Sequence, residues 1–101
     1  MDAVSFIADQ DLPRPAPNWE SRLTPFQRRC VEGIRLGRNG IADTTEIARR
    51  LRSSRVAVWN ALVALRQRGI ANYFRSGGHG QWDQRGSTAH WFVRADDMKL
   101  R

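Results

Sequence analysis

A small set of arginine and serine side chains carries the clearest chemistry in this 101-residue sequence. Arg49, Arg50 and Arg55 each present a planar fork of N–H donors, which suits the oxygen atoms of phosphates. Ser53 and Ser54 stand at the predicted start of a helix, where hydroxyl and backbone amide donors favour an anion. These residue types predict the noncovalent binding of an anionic partner.

The charge of the chain points to the same kind of partner. Seventeen basic side chains stand against 10 acidic ones, which gives a formal net charge of +7. Residues 1–20 have a net charge of −3, so the rest of the chain carries +10. A body this basic attracts polyanions, and nucleic acid is the usual one. The excess of arginine over lysine fits equally well the codon usage of a GC-rich genome and bidentate contacts to phosphate or guanine.

Catalytic and metal-ligating residues do not form a recognisable set. Cys30 is the only cysteine, and His79 and His90 do not stand at metal-ligand spacing with it. The GGHG segment lacks the Lys-Ser/Thr ending of a phosphate-binding loop. Cys30 falls on the apolar face of a predicted helix, where a small buried side chain is expected. We therefore predict no enzymatic activity, no metal and no cofactor.

Two amphipathic helices are predicted before the serines. The first begins with Thr24, Pro25 and Gln27 in a capping-box arrangement and ends near Gly37. The second begins at a capping residue, Asp43 or Thr44. Its inner face is formed by Ile47, Ala48 and Leu51, and its outer face by Arg49, Arg50 and Arg52.

The third predicted helix spans residues 53–68 and has a buried and an exposed stripe. The core stripe consists of Val58, Ala61, Leu62 and Leu65. The opposite stripe consists of Val56, Asn60, Val63 and Gln67. At about 100° per residue, Asn60 faces solvent and Trp59 lies at the margin of the core.

The helical spacing of apolar residues ends at Gly69, and a pattern typical of strands follows. Residues 70–75 and 89–94 are short runs of aromatic and β-branched residues, which predict a β-hairpin around a polar loop with four glycines. Ile41 and Ala42 could add one rung to its sheet. The sequence therefore predicts an α+β domain.

The flanking segments and the location are predicted from composition. Residues 1–22 are acidic and contain three of the four prolines, and we expect a flexible N-terminal tail before a domain over 23–95. Residues 96–101 form a C-terminal tail. Because the chain has no run of about 18 apolar residues and no secretory signal, we predict no membrane association. The single cysteine fits a reducing cytoplasm.

The order helix, helix, tight break, helix and hairpin resembles the winged helix-turn-helix family. The segment TTEIARRLRSSRVAVWNALVALRQRGI carries the resemblance. Ala48 stands where the second and third helices of the family cross closely, and Gly69-Ile70 matches the step that begins the wing. Val58, Leu62 and Leu65 match the buried positions of the recognition helix. The match covers residues 23–94.

The resemblance implies a winged helix-turn-helix fold, with three helices followed by a β-hairpin wing. It implies that double-stranded DNA is the partner, with helix 53–68 in the major groove and hairpin 70–94 as the wing. The DNA-binding residues would be Arg49, Arg50, Ser53, Ser54, Arg55, Val56, Trp59, Asn60, Arg75 and Arg85.

Each kind of side chain in that set has a distinct expected role. Arg55 would read guanine or clamp a phosphate, and Asn60 matches the bidentate pairing with adenine. Val56 would pack on thymine methyl groups. Arg75 and Arg85 flank the hairpin loop and would reach phosphates or a narrow minor groove. The alternative for the loop is a flexible turn insertion whose glycines supply positive φ.

Trp59 departs from the family pattern, in which a small or polar residue is common. Three interpretations stay open: packing against the second helix or the wing, a protein interface shared with Val63, and contact with nucleic acid. A homodimer or another protein partner would bind through these two residues or through the N-terminal tail.

The most direct functional prediction is a small bacterial or phage transcriptional regulator that binds DNA sequence-specifically in the cytoplasm, associated with the nucleoid. One alternative is a DNA-bending or recombination accessory factor. Another is a winged helix used as a protein-interaction module of the anti-activator type.

Overall fold

The structure, a computed structural model, describes residues 11–76 and 88–98, and this part of the chain has an α+β fold. The α+β prediction is confirmed. The α-helices are α1 (Pro25–Arg35), α2 (Thr44–Leu51), α3 (Arg55–Gln67) and α4 (Arg94–Asp97). The strands are β1 (Ile41–Asp43), β2 (Asn72–Ser76) and β3 (Thr88–Phe92). Two short 3-10 turns cover Trp19–Arg22 and Arg38–Gly40.

Side-chain caps fix the starts of the three longer helices. The predicted capping box is confirmed: Thr24 Oγ1 accepts from the Gln27 amide at 3.1 Å, and Gln27 Oε1 accepts from the Thr24 amide at 3.1 Å. Asp43, rather than Thr44, caps α2 by accepting from the Glu46 amide at 2.8 Å. Ser54 caps α3 by accepting from the Ala57 amide at 3.1 Å. Each bond satisfies an amide that the first helical turn leaves unpaired.

The inner faces of the helices pack on one core. The predicted core residues of α2 and of the stripe on α3 are buried, apart from Ala61, which is partly buried. Gly33 lets α1 approach α2 closely, because a Cβ at this position would lie 3.3 Å from side-chain atoms of Ile47 and Leu51. Arg52 joins α2 to α3 in the left-handed conformation, with φ of 56°.

The three strands form one antiparallel sheet in the order β1-β3-β2. Ile41 pairs with Phe92, which confirms the predicted contact of this segment with a sheet. Both hairpin strands are displaced from the predicted runs. Ile70 still donates its amide to Leu65 O as part of the helix C-terminus, so β2 begins only at Asn72.

Both predicted tails contain segments that contact the body. The Arg94 side chain is buried, and its Nη1 donates to Pro13 O at 2.9 Å and to Gly69 O at 2.8 Å. The Arg35 guanidinium forms ion pairs with Glu20 at 3.0 Å and with Asp96 at 2.6 Å.

These contacts change the expected layout of the chain ends. Within the tail expected over 1–22, Pro13, Trp19 and Glu20 contact the body, and the flexibility of this segment stays a prediction. The start of the expected C-terminal tail belongs to α4, which adds a fourth helix to the three that the sequence indicated. Residues 1–10 and 99–101 lie outside the described residues. Within the described ranges, no helix is long and apolar enough to cross a membrane.

Candidate functional site

An open groove of about 480 Å³ lies where α2, α3 and the β2–β3 strand pair meet. Its walls are formed by Thr44, Thr45, Arg55, Val56, Trp59, Arg75, Thr88 and Ala89. Arg55 and Val56 belong to the first turn of α3, whereas Arg75 and Ala89 are register partners in the sheet. The groove therefore joins the start of one helix to one end of the strand pair.

Two guanidinium groups reach this groove, and neutral groups hold both of them. Arg55 Nη1 donates to Thr45 Oγ1 at 3.3 Å. The Arg75 guanidinium carbon lies 5.3 Å from the centre of the Tyr73 ring, in cation–π contact. Among the described residues, no carboxylate forms an ion pair with either arginine. Both positive charges are thus uncompensated within the described part of the chain.

Two other arginines, Arg35 and Arg50, differ from this pair because carboxylates hold them. Arg50 Nη2 contacts Glu46 Oε2 at 2.6 Å, and Arg50 Nη1 also donates to Gly33 O at 3.0 Å. Arg35 is held by two carboxylates, and these contacts raise its pKa above the ordinary arginine value, with the hydrogen bond to Asp96 as the main cause. Binding of an external anion by Arg50 would compete with an existing ion pair.

Trp59 packs against the strand pair in a cluster of three aromatic rings. Its ring stacks on Tyr73 with centroids 5.8 Å apart and meets Trp91 edge-on at 5.4 Å. Tyr73 and Trp91 are themselves 4.8 Å apart. Trp91 is fully buried and donates from Nε1 to Thr44 Oγ1 at 3.0 Å. Of the three interpretations of Trp59, packing against the strand pair matches these contacts, and its exposed edge lines the groove.

The outward stripe of α3 is exposed as predicted at three of its four positions, and Val63 is the exception. Val56 is 70% exposed, and Asn60, one helical turn further on, is also exposed. Val63 is half-buried and Gln67 is exposed. No described side chain or backbone group holds the Asn60 amide in a hydrogen bond, so its donor and acceptor face solvent.

The remaining predicted site residues that the structure describes do not lie together in one place. Arg49 is exposed and lies with Arg50 beside a second, smaller groove at the start of α2. Ser53 is half-buried, and its amide already donates to Ala48 O at 3.0 Å, so this amide is not available to an anion. Ser54 uses its oxygen as the helix cap. Arg85 lies outside the described residues.

Three hydroxyl-bearing groove residues and one residue beside the groove were not predicted as site residues. Thr44, Thr45 and Thr88 supply hydroxyl groups at a strand–helix junction and at the start of β3, where no periodicity marks them. Tyr73 orients Arg75, and the Arg66 guanidinium also lies 4.9 Å from its ring. Arg75 stands two residues after Tyr73 on one strand, so both side chains lie on the same face of the sheet. That spacing is the sequence signal that could have revealed Tyr73.

Among the described residues that line the groove, none is a cysteine, a histidine or a carboxylate. Cys30 is fully buried in α1, and burial raises the pKa of its thiol to about 11, so the reactive thiolate is disfavoured. In the part of the chain that the structure describes, no three His, Cys, Asp or Glu side chains are grouped so that they could hold a metal ion. The arrangement suits the binding of an anion by cationic and hydroxyl donors.

Comparisons of this chain with protein families, with curated proteins and with solved structures find no match. The interpretation of the groove therefore rests on its own residues and their geometry.

Proposed function

We propose that this protein binds double-stranded DNA as a small winged-helix protein and acts as a transcriptional regulator. In this proposal α3 enters the major groove, and the β2–β3 pair, as the wing, follows the DNA backbone. The observation that carries the proposal is the groove at which Arg55 and Arg75 converge without a carboxylate partner among the described residues. A net charge of +7 supports it, because phosphate charge supplies most of the affinity of such complexes.

The exposed stripe of α3 supports the sequence-specific part of the proposal. An α-helix fits the major groove, and side chains near its N-terminus meet the base edges. Asn60 offers a donor and an acceptor that match adenine, and exposed Val56 offers an apolar contact to a thymine methyl group. Both residues lie on the same face of the helix, one turn apart.

The phosphate contacts set an expected salt dependence. Arg49, Arg55, Arg75 and Arg85 are the expected phosphate ligands, and Arg50 is left out because Glu46 already holds it. These four side chains would neutralise three or four phosphates, which gives a slope of log K against log salt concentration of about −2.7 to −3.6.

The test begins with the purified full chain and a random duplex library. We expect selection to recover a motif, and we expect the affinity for the selected duplex to follow the steep salt dependence given above. Recovery of no motif, together with an affinity that barely changes with salt, would reject DNA binding and favour the protein-interaction alternative. A selected duplex that circularises faster with protein bound would favour the DNA-bending alternative.

A charge-matched control distinguishes a local contribution of the groove to DNA affinity from the general electrostatic attraction between the basic protein and DNA. Arg38 precedes β1, whose Ile41 pairs with Phe92, so it lies at the opposite end of β3 from Thr88. Arg38→Ala removes the same charge as Arg55→Ala. We expect Arg55→Ala to lower the affinity for DNA about tenfold and Arg38→Ala to lower it less than twofold, since a distant charge acts only through screened solvent.

A further inference from the structure

The groove is larger and less polar than a site for one small anion needs to be. Its volume of about 480 Å³ lies in the size range of sites that enclose small organic ligands. Its walls combine two guanidinium groups and three threonine hydroxyls with the edge of Trp59. This composition suits an anion that is attached to an uncharged ring.

The two cationic side chains are held toward the groove before any ligand binds. Arg55 is oriented by Thr45, and Arg75 is oriented by the face of the Tyr73 ring. Arg75 also lies on the same face of the sheet as Tyr73 and Ala89, the face that packs on α3. Because these contacts restrict the long side chains, less conformational entropy is lost when an anion binds between them.

We propose that the groove holds one sugar-phosphate unit of the DNA backbone, with a single phosphate bound by Arg55 and Arg75 together. The deoxyribose of that unit lies against the exposed edge of Trp59, and the hydroxyls of Thr45 and Thr88 donate to the remaining phosphate oxygens. The proposal rests on the proposed function. It adds that one phosphate connects the recognition helix to the wing, rather than each element binding a phosphate of its own.

A shared phosphate predicts a specific pattern of salt dependence. When only one of the two arginines is removed, the other still neutralises the phosphate, so the slope of log K against log salt should stay nearly unchanged. When both are removed, one phosphate contact is lost and the slope should become shallower by about 0.9. If each arginine bound its own phosphate, each single variant would change the slope by about 0.9 and the double variant by about 1.8.

The decisive experiment locates the phosphate on the selected duplex. Neutral methylphosphonate groups replace the backbone phosphates one at a time, and the affinity of each duplex is measured by fluorescence anisotropy. With the unmodified protein, we expect one position in the groove-contacting strand to weaken binding about tenfold. Arg55→Ala and Arg75→Ala should both become less sensitive to substitution at this same position, and Arg49→Ala should keep the full sensitivity.

The outcomes separate the failure of this inference from the failure of the proposed function. Loss of sensitivity at two different positions would overturn the shared phosphate and leave DNA binding intact. Absence of any selected duplex would overturn both. Thermal unfolding of each variant serves as a control. Because both arginines are exposed and each makes one weak contact, we expect melting temperatures within a few degrees of that of the unmodified protein.

Discussion

Replacement of Trp59 by alanine tests whether this side chain belongs to the core. The Trp59 ring contacts Tyr73 and Trp91, and these three rings connect α3 to the sheet. Removal of the indole leaves Tyr73 and Trp91 without their ring contacts on the α3 side. We therefore expect Trp59→Ala to lower the free energy of unfolding substantially, although one edge of the ring is exposed.

The magnitude follows from the burial and the ring contacts. Truncation of a fully buried tryptophan costs about 3–5 kcal/mol, and half-burial reduces this to about 2 kcal/mol. Loss of two aromatic contacts adds about 0.5 kcal/mol each, so we expect a total of about 3 kcal/mol. In a domain of this size, each kcal/mol lowers the melting temperature by about 4–8 °C, and the expected decrease is about 15 °C.

Urea and thermal unfolding, followed by circular dichroism, measure this change. Trp59→Phe keeps a ring against Tyr73, and we expect it to lose only about 1 kcal/mol. Val56→Ala, on the same helix but 70% exposed, should change stability by less than about 0.5 kcal/mol. If Trp59→Ala unfolds at the same urea concentration as the unmodified protein and instead dissociates a dimer or a partner complex, the packing argument is wrong.

Three further predictions concern other parts of the chain. Because burial raises the pKa of the Cys30 thiol to about 11, the stability contributed by the buried neutral thiol is fully present below about pH 9 and is lost as the pH rises through 11, by about 3 kcal/mol in total. Urea titrations measure this decrease, and Cys30→Ala should lack it. Arg35→Met should cost about 1 kcal/mol of stability, because the ion pair to Glu20 is partly exposed. Loss of this ion pair should increase hydrogen exchange over Trp19–Arg22, and unchanged exchange would contradict the docking of this segment. Asn60→Ala should cost about 1–3 kcal/mol of affinity for the selected duplex and nothing for random DNA; an unchanged base preference would make Asn60 a solvated surface residue.

Sequence alone predicts the parts of this fold that local interactions determine. The capping box joins Thr24 and Gln27, which are three positions apart, and the cap of Ser54 reaches only to Ala57. Helical periodicity likewise identifies the buried stripe and the exposed Asn60, because the period follows from backbone geometry. The charge of Arg55 and Arg75 makes both residues candidates for a binding site, and that role stays a prediction.

The features that the sequence does not predict depend on contacts between distant residues. The short helix α4 begins at Arg94, whose guanidinium bonds to Pro13 and Gly69, which are 81 and 25 positions away. No local pattern contains that information. The same holds for Trp59, since its position at the margin of the core leaves its environment open until Tyr73 and Trp91 are placed beside it.

The central position of β3 in the sheet has a consequence for how the protein folds during synthesis. β3 is the last of the three strands in the described part of the chain, yet it pairs with both β1 and β2. The bond between Trp91 and Thr44 closes a separation of 47 positions, and contacts of such long range form late because loop closure costs entropy. The helices α1 to α3 can collapse on the ribosome first. A nascent chain that stops before Thr88 therefore exposes the unpaired edges of β1 and β2, which makes that intermediate prone to aggregation.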